Sequence, residues 1–249
     1  MNWFDLIIQD IIVMARPSLF NIYFAAASIP IGFIFAVGLT LMRASNNKII
    51  SYLASGYIYA FRGSPLFIQL FMIYSLVLSL NLSVWKPMGI DWLVLHPLFL
   101  GPMVLILNTS AYSAQILYGA YLNVPKGEIE AARAFGMGRV REFISVTWPN
   151  MIRLAWPAYT NEVVFLFHAT ALIYFTLPVI DEQKDLMNKA GELFERDYNV
   201  FLHFSVAALY YLVISFMIFL LFGRFYKYLM RHQAVEKTRK ISFAPKYLR

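Results

Sequence analysis

The chain has 249 residues, a mass of 28.8 kDa and no cysteine, with 60% hydrophobic but only 14% charged side chains. An ordinary globular domain is roughly 45–50% apolar, so this composition excludes a water-soluble fold of this size, while the missing thiols exclude disulfides, thiolate metal sites and a cysteine nucleophile. The net charge of +7 is explained by its distribution along the chain better than by a nucleic-acid partner.

The first sixteen residues carry Asp5 and Asp10 and lack a basic leader or a small-residue cleavage pattern, which argues against a removable signal peptide. Trp3, Phe4, Leu6, Ile7, Ile8 and Ile11 fit a short amphipathic helix lying in the outer membrane interface; a disordered terminus is the alternative. Residues 18–42, between Arg16 and Arg43, hold no charge and read as the first span. Residues 63–85 read as the second, with an apolar approach from Ile49 to Phe61 that leaves its start open. Residues 98–124, 157–180 and 198–223 complete the set, and only the fourth tract contains an acid, Glu162. The expected fold is thus an all-α integral membrane protein of about five transmembrane helices.

The first loop, the third loop and the tail carry sixteen of the twenty-one Lys and Arg. Basic residues resist translocation, so this asymmetry predicts an external N-terminus and a cytoplasmic C-terminus, with added attraction to anionic lipid. Residues 1–235 read as one transmembrane domain with a cytoplasmic loop at about 125–150, and residues 236–249 as a basic cytoplasmic tail.

Catalytic patterns are missing from the sequence. His96, His168, His203 and His232 are too scattered for an HExxH pair, and there is no GxSxG elbow and no GxxxxGK[ST] phosphate loop. No catalytic residue, metal site or cofactor site is expected, and the chain holds no visible power source of its own.

The third loop is the most informative stretch. Glu128 and Glu130 occupy the first turn of a short helix, favourable for its dipole, and Gly136 is placed to stop it. Glu128, Ala131, Ala132 and Phe135 fall on one side, a small-residue face with an aromatic at its end. Such a face either seats in another protein's groove or rests on lipid. Val140, Phe143, Ile144 and Trp148 give a second helical stripe, closed by Pro149.

The loop resembles the EAA signature of permease subunits in ATP-binding-cassette importers: Glu130, Ala131, Ala132, Gly136 and Pro149 match position for position, with Val146 and Trp148 replacing the usual Ile and Leu. Arg62-Gly-Ser-Pro-Leu-Phe-Ile-Gln69 and Asn108-Thr-Ser-Ala-Tyr112 are similar to stretches of the polar amino acid subfamily, of histidine, arginine and ornithine type or opine type. This resemblance implies a half of a translocation path in the bacterial inner membrane. It implies a dimer with an identical or related permease, an ATPase pair that binds ATP and magnesium and docks on the loop through Glu128, Glu130, Ala131, Ala132, Phe135 and Gly136, and an extracytoplasmic solute-binding protein. The implied cargo is a polar, cationic amino acid or an opine. A self-contained secondary transporter or channel for small polar solutes is the alternative.

Within the spans, Asn108, Tyr112, Gln115 and Gly119 form a polar strip on one side of the third helix. It lines a solute path or serves hydrogen bonding between packed helices. Glu162 needs a partner at membrane depth, either a cationic substrate or Arg153. Asn161 and His168, seven apart, share a face of the fourth span, and Gln69 closes the second motif; these join the candidate path.

Overall fold

A chain in hydrocarbon must satisfy every backbone N–H and C=O internally, and among the described residues every regular element is a helix. The computed structural model describes residues 3–179 and 184–231. The tail expected at 236–249 and the end of the fourth tract at Ile180 lie outside the described residues.

Helix α1 (Trp3–Arg43) runs for 41 residues through Pro17 and Pro30. The N-terminal residues therefore do not form a separate interfacial helix. They continue the first span because Ile7, Ile11 and Met14 pack against Leu186, Ala190 and Val206, and Asp10 is buried against His203.

The second tract is a bent pair. Helix α2 (Lys48–Gly63) and helix α3 (Leu66–Ser79) meet at 107° across Ser64 and Pro65. Proline removes a donor and disfavours helix in the residue before it, so the expected start at Gly63 is in fact the break. Gln69 repairs it, its Nε2 donating to Phe61 O at 2.7 Å, Ser64 O at 3.0 Å and Ser64 Oγ at 2.9 Å.

A π-turn at Asn81–Trp85 and the short α4 (Asp91–Val94) lead to α5 (Pro97–Leu122), close to its predicted bounds. Pro97 sits at the start of α5, where no N–H is needed, and the His96 ring accepts from Leu98 N at 3.2 Å as cap. Helix α6 (Lys126–Ala134) forms the expected short loop helix.

Helix α7 (Arg139–Glu142), a π-turn at Phe143–Thr147 and helix α8 (Trp148–Ala169) follow without a gap. Pro149 does not close a helix. It lies in the first turn of α8, where the widened π-turn before it absorbs the missing donor. The fourth span accordingly starts earlier than residue 157 and passes Arg153, whose Nε donates to Leu229 O at 3.2 Å. A 3-10 turn at Thr170–Phe175 ends it. The amphipathic α9 (Leu186–Asp197) and α10 (Val200–Met230) complete the chain.

Helices α1 and α10 are long and apolar enough to cross a membrane, and α2 with α3 passes the same test together, as a broken span or a re-entrant loop. Helices α5 and α8, with 26 and 22 residues, reach about 39 and 33 Å at 1.5 Å per residue, enough for a hydrocarbon layer of roughly 30 Å.

Helix α5 is the central member, packed by α1, α2 and α8, with α10 on α8 and α9 across α1 and α10. The α1–α5 approach depends on Gly32, where a β-carbon would overlap Thr109 Cγ2. Asn21, fully buried in α1, ties three other segments together. Its Nδ2 donates to Thr170 Oγ1 at 3.0 Å and Tyr211 OH at 2.9 Å, and its Oδ1 accepts from Leu186 N at 3.0 Å.

Candidate functional site

Helices α3, α5 and α8 line an open cleft of about 450 Å³, walled by Leu66, Ile116, Phe165 and Leu166 and carrying Asn108, Tyr112, Asn161 and Glu162. Four of the residues expected on a path thus share one chamber. Its wall is mainly apolar, so the few polar groups would orient any occupant.

Glu162 accepts from Thr109 Oγ1 at 3.0 Å. Arg153 is engaged with α10 instead, which leaves the second carboxylate oxygen of Glu162 for the chamber. The guanidinium of Arg62 lies 5.3 Å from the centre of the Tyr112 ring, and Tyr112 OH donates to Arg62 O at 3.3 Å. Glu162 is thus the acid of the chamber's lining, and Arg62 stands behind Tyr112 at its edge.

The polar strip on α5 divides. Asn108 Nδ2 donates to Gln69 Oε1 at 2.9 Å, and Gln69, its own amide spent on the α2–α3 break, stands behind the wall as its support. Gln115 turns toward α1 and accepts from Arg43 Nη1, while Arg43 also covers the Tyr118 ring at 4.2 Å. His168 is separate from Glu162. It pairs with Ser215 Oγ at 2.8 Å in a second, apolar groove of about 680 Å³ between α8 and α10.

Sequence reading passed over Thr109 and Arg62. Both lie inside the quoted motifs, but nothing in the spacing shows that Arg62 stands over Tyr112 or that Thr109 reaches Glu162 across 53 residues.

In the loop, α6 ends as the composition requires. Gly136 has φ +77°, its N–H reaches Arg133 O at 2.9 Å and Met137 N reaches Ala132 O at 3.1 Å, a Schellman closure that favours glycine. Glu130, Ala131 and Ala134 are exposed, and Phe135 is 86% exposed. One residue of the expected docking face turns inward: Ala132 is buried. Glu128 stays exposed while it accepts from Asn150 Nδ2 of α8. The face offered to a partner is therefore Glu128, Glu130, Ala131, Ala134 and Phe135. Behind it Arg133 Nε bonds Glu142 Oε2 at 2.8 Å, and this bond raises the guanidinium's affinity for its proton. Among the described residues no cluster of His, Asp or Glu could hold a metal ion.

The family described as binding-protein-dependent transport system inner membrane component matches residues 28–232. The HisM permease of the histidine/lysine/arginine/ornithine transport system of Escherichia coli K12 is 36% identical over 219 residues, covering 85% of this chain and 86% of that one. The octopine transport system permease OccM of Rhizobium radiobacter is 36% identical over 201 residues, covering 80% and 78%. Among solved structures, a chain from an amino acid ABC transporter with histidines superposes with a TM-score of 0.69 at 25% identity, covering 91% and 95%. A chain of the inward-facing MetNI methionine transporter gives 0.67 at 17% identity, covering 87% and 95%, a likeness of fold.

Proposed function

The chain belongs to the family of binding-protein-dependent transport system inner membrane components, and from that premise we propose that it forms half of the path by which an ABC importer moves cationic amino acids or opines. The observation that carries the substrate class is the chamber, where Glu162 is positioned by Thr109 and faces Tyr112 and Asn161 without a basic residue of the protein bonded to it. Relatives named for histidine, lysine, arginine, ornithine and octopine support the same class.

The chain is a transport subunit, and ATP and magnesium belong to a separate ATPase pair that seats on the exposed face of α6. An extracytoplasmic binding protein delivers solute to the opposite side. The exposed edge of α8 carries Asn161 and His168 beside Phe165; polar side chains at span depth avoid lipid, which supports a second permease, identical or related, covering this edge. The basic loops support an external N-terminus and a cytoplasmic C-terminus, in a bacterial inner membrane.

The test is uptake into proteoliposomes holding the whole assembly with its binding protein. Arginine should enter when ATP is present and glutamine, neutral and of similar size, should enter poorly. Equal uptake of both would remove the cationic assignment.

A further inference from the structure

Beside the core packing of Ile129 and the burial of Ala132, two side-chain bonds fasten the α6 helix, and both run to the rod made by α7, the π-turn and α8. At its start Glu128 accepts from Asn150 Nδ2, which also donates to Val146 O at 3.1 Å. At its end Arg133 bonds Glu142 Oε2 at 2.8 Å, and Glu142 is itself buried and accepts from Thr147 Oγ1 at 3.4 Å. Among the described residues the side-chain hydrogen bonds of α6 run to this rod and none to α5.

The positions of the two anchors matter. Glu142 precedes the π-turn at Phe143–Thr147 and Asn150 follows it. A π-turn followed by Pro149 is the weak point of a long helix, since both loosen the regular backbone ladder. Helix α6 spans that point on the outside, fastened on either side of it.

We propose that Glu128–Asn150 and Arg133–Glu142 make α6 a splint across the π-turn, so that force applied to α6 is delivered along α8 to Glu162 and is not absorbed by bending at Phe143–Thr147. Glu142 and Asn150 are positioning residues for transport. Neither lies on the outward face of α6. This inference rests on the reading that an ATPase seats on that face.

The test uses the complete assembly, with a cysteine introduced at Ala131 into a chain that has none of its own. Cross-linking of that cysteine to the ATPase reports docking. Solute moved per ATP hydrolysed reports transmission, and the distance distribution between spin labels at Ala134 and Leu154 reports rigidity. In Glu142→Gln combined with Asn150→Leu, the cross-link and ATP hydrolysis should persist. Transport per ATP should fall about five-fold or more, the low end of a normal coupling energy, and the distance distribution should broaden. Arg133→Met removes the same ion pair from its exposed end and should give part of the loss if Glu142→Gln does not fold. Unchanged transport per ATP with an unbroadened distribution overturns the splint. Absence of the cross-link in the otherwise unaltered chain overturns the docking reading instead.

Discussion

Thr109 serves Glu162 and Gly32 at once: its hydroxyl donates to Glu162 Oε1 at 3.0 Å, while its methyl fills the notch that glycine leaves in α1. The orientation of the acid in the chamber therefore depends on the close α1–α5 approach.

Glu162→Gln keeps size and the Thr109 hydrogen bond but removes the charge. A hydrogen bond to a charged group contributes about 1.5–3 kcal/mol, so arginine uptake should fall about ten-fold or more while any residual glutamine uptake changes little. Paired uptake assays in proteoliposomes measure the split, and an equal loss for both would leave Glu162 a structural role.

Gly32→Ala sets a β-carbon against Thr109 Cγ2, and overpacking of this kind costs about 1–3 kcal/mol. The variant should melt earlier in detergent and lose transport. Adding Thr109→Ser removes the obstructing methyl, keeps the hydroxyl for Glu162, and should restore most of both.

Gly136→Val forces a β-branched residue to φ +77°, a conformation costing about 1–3 kcal/mol. Ala131→Trp places bulk on the outward face of α6. Both should leave the membrane helices folded by circular dichroism and reduce solute moved per ATP, whereas Ala132→Trp, at a buried site, should first lower stability.

Asp185, in the segment before α9 and outside the spanning helices, has its pKa pushed up to about 6 by burial. Its Oδ2 has no hydrogen-bond partner among the described residues. The folded state thus favours the protonated acid. That contribution is complete below the ordinary pKa of 3.8 and is lost as pH rises through about 6. Asp185→Asn keeps an acceptor for Asn188 N and removes the titration. Its stability advantage over the parent should grow from near zero at pH 4 to about 2–3 kcal/mol at pH 7.5, followed by thermal melting across that range.

The sequence disclosed what depends on local pattern. The short loop helix, its glycine stop and the bounds of α5 follow from dipole placement, φ preference and apolar length, which are properties of neighbouring residues. The errors arose where distant partners decide. Residues 3–16 read as a surface helix because their packing on α9 and the Asp10–His203 pair lie across almost two hundred positions. Arg153 read as a partner for Glu162 and Pro149 as a helix end because a carbonyl on α10 and a preceding π-turn, both invisible locally, accommodate them. In the site, Asn108, Tyr112, Asn161 and Glu162 do meet, but helical spacing alone could not show that Gln115 turns to Arg43, that His168 pairs with Ser215, or that Ala132 faces inward.

The proposed function has this chain driven through α6 by an ATPase it does not contain. A single cysteine at Ala131, in the assembled transporter in native membrane vesicles, measures this most directly. A cross-link from Ala131→Cys to the ATPase should form, with a yield that changes when ATP is bound. A cysteine there that reacts with impermeant reagents from the external side, or that never meets a nucleotide-hydrolysing chain, would contradict it.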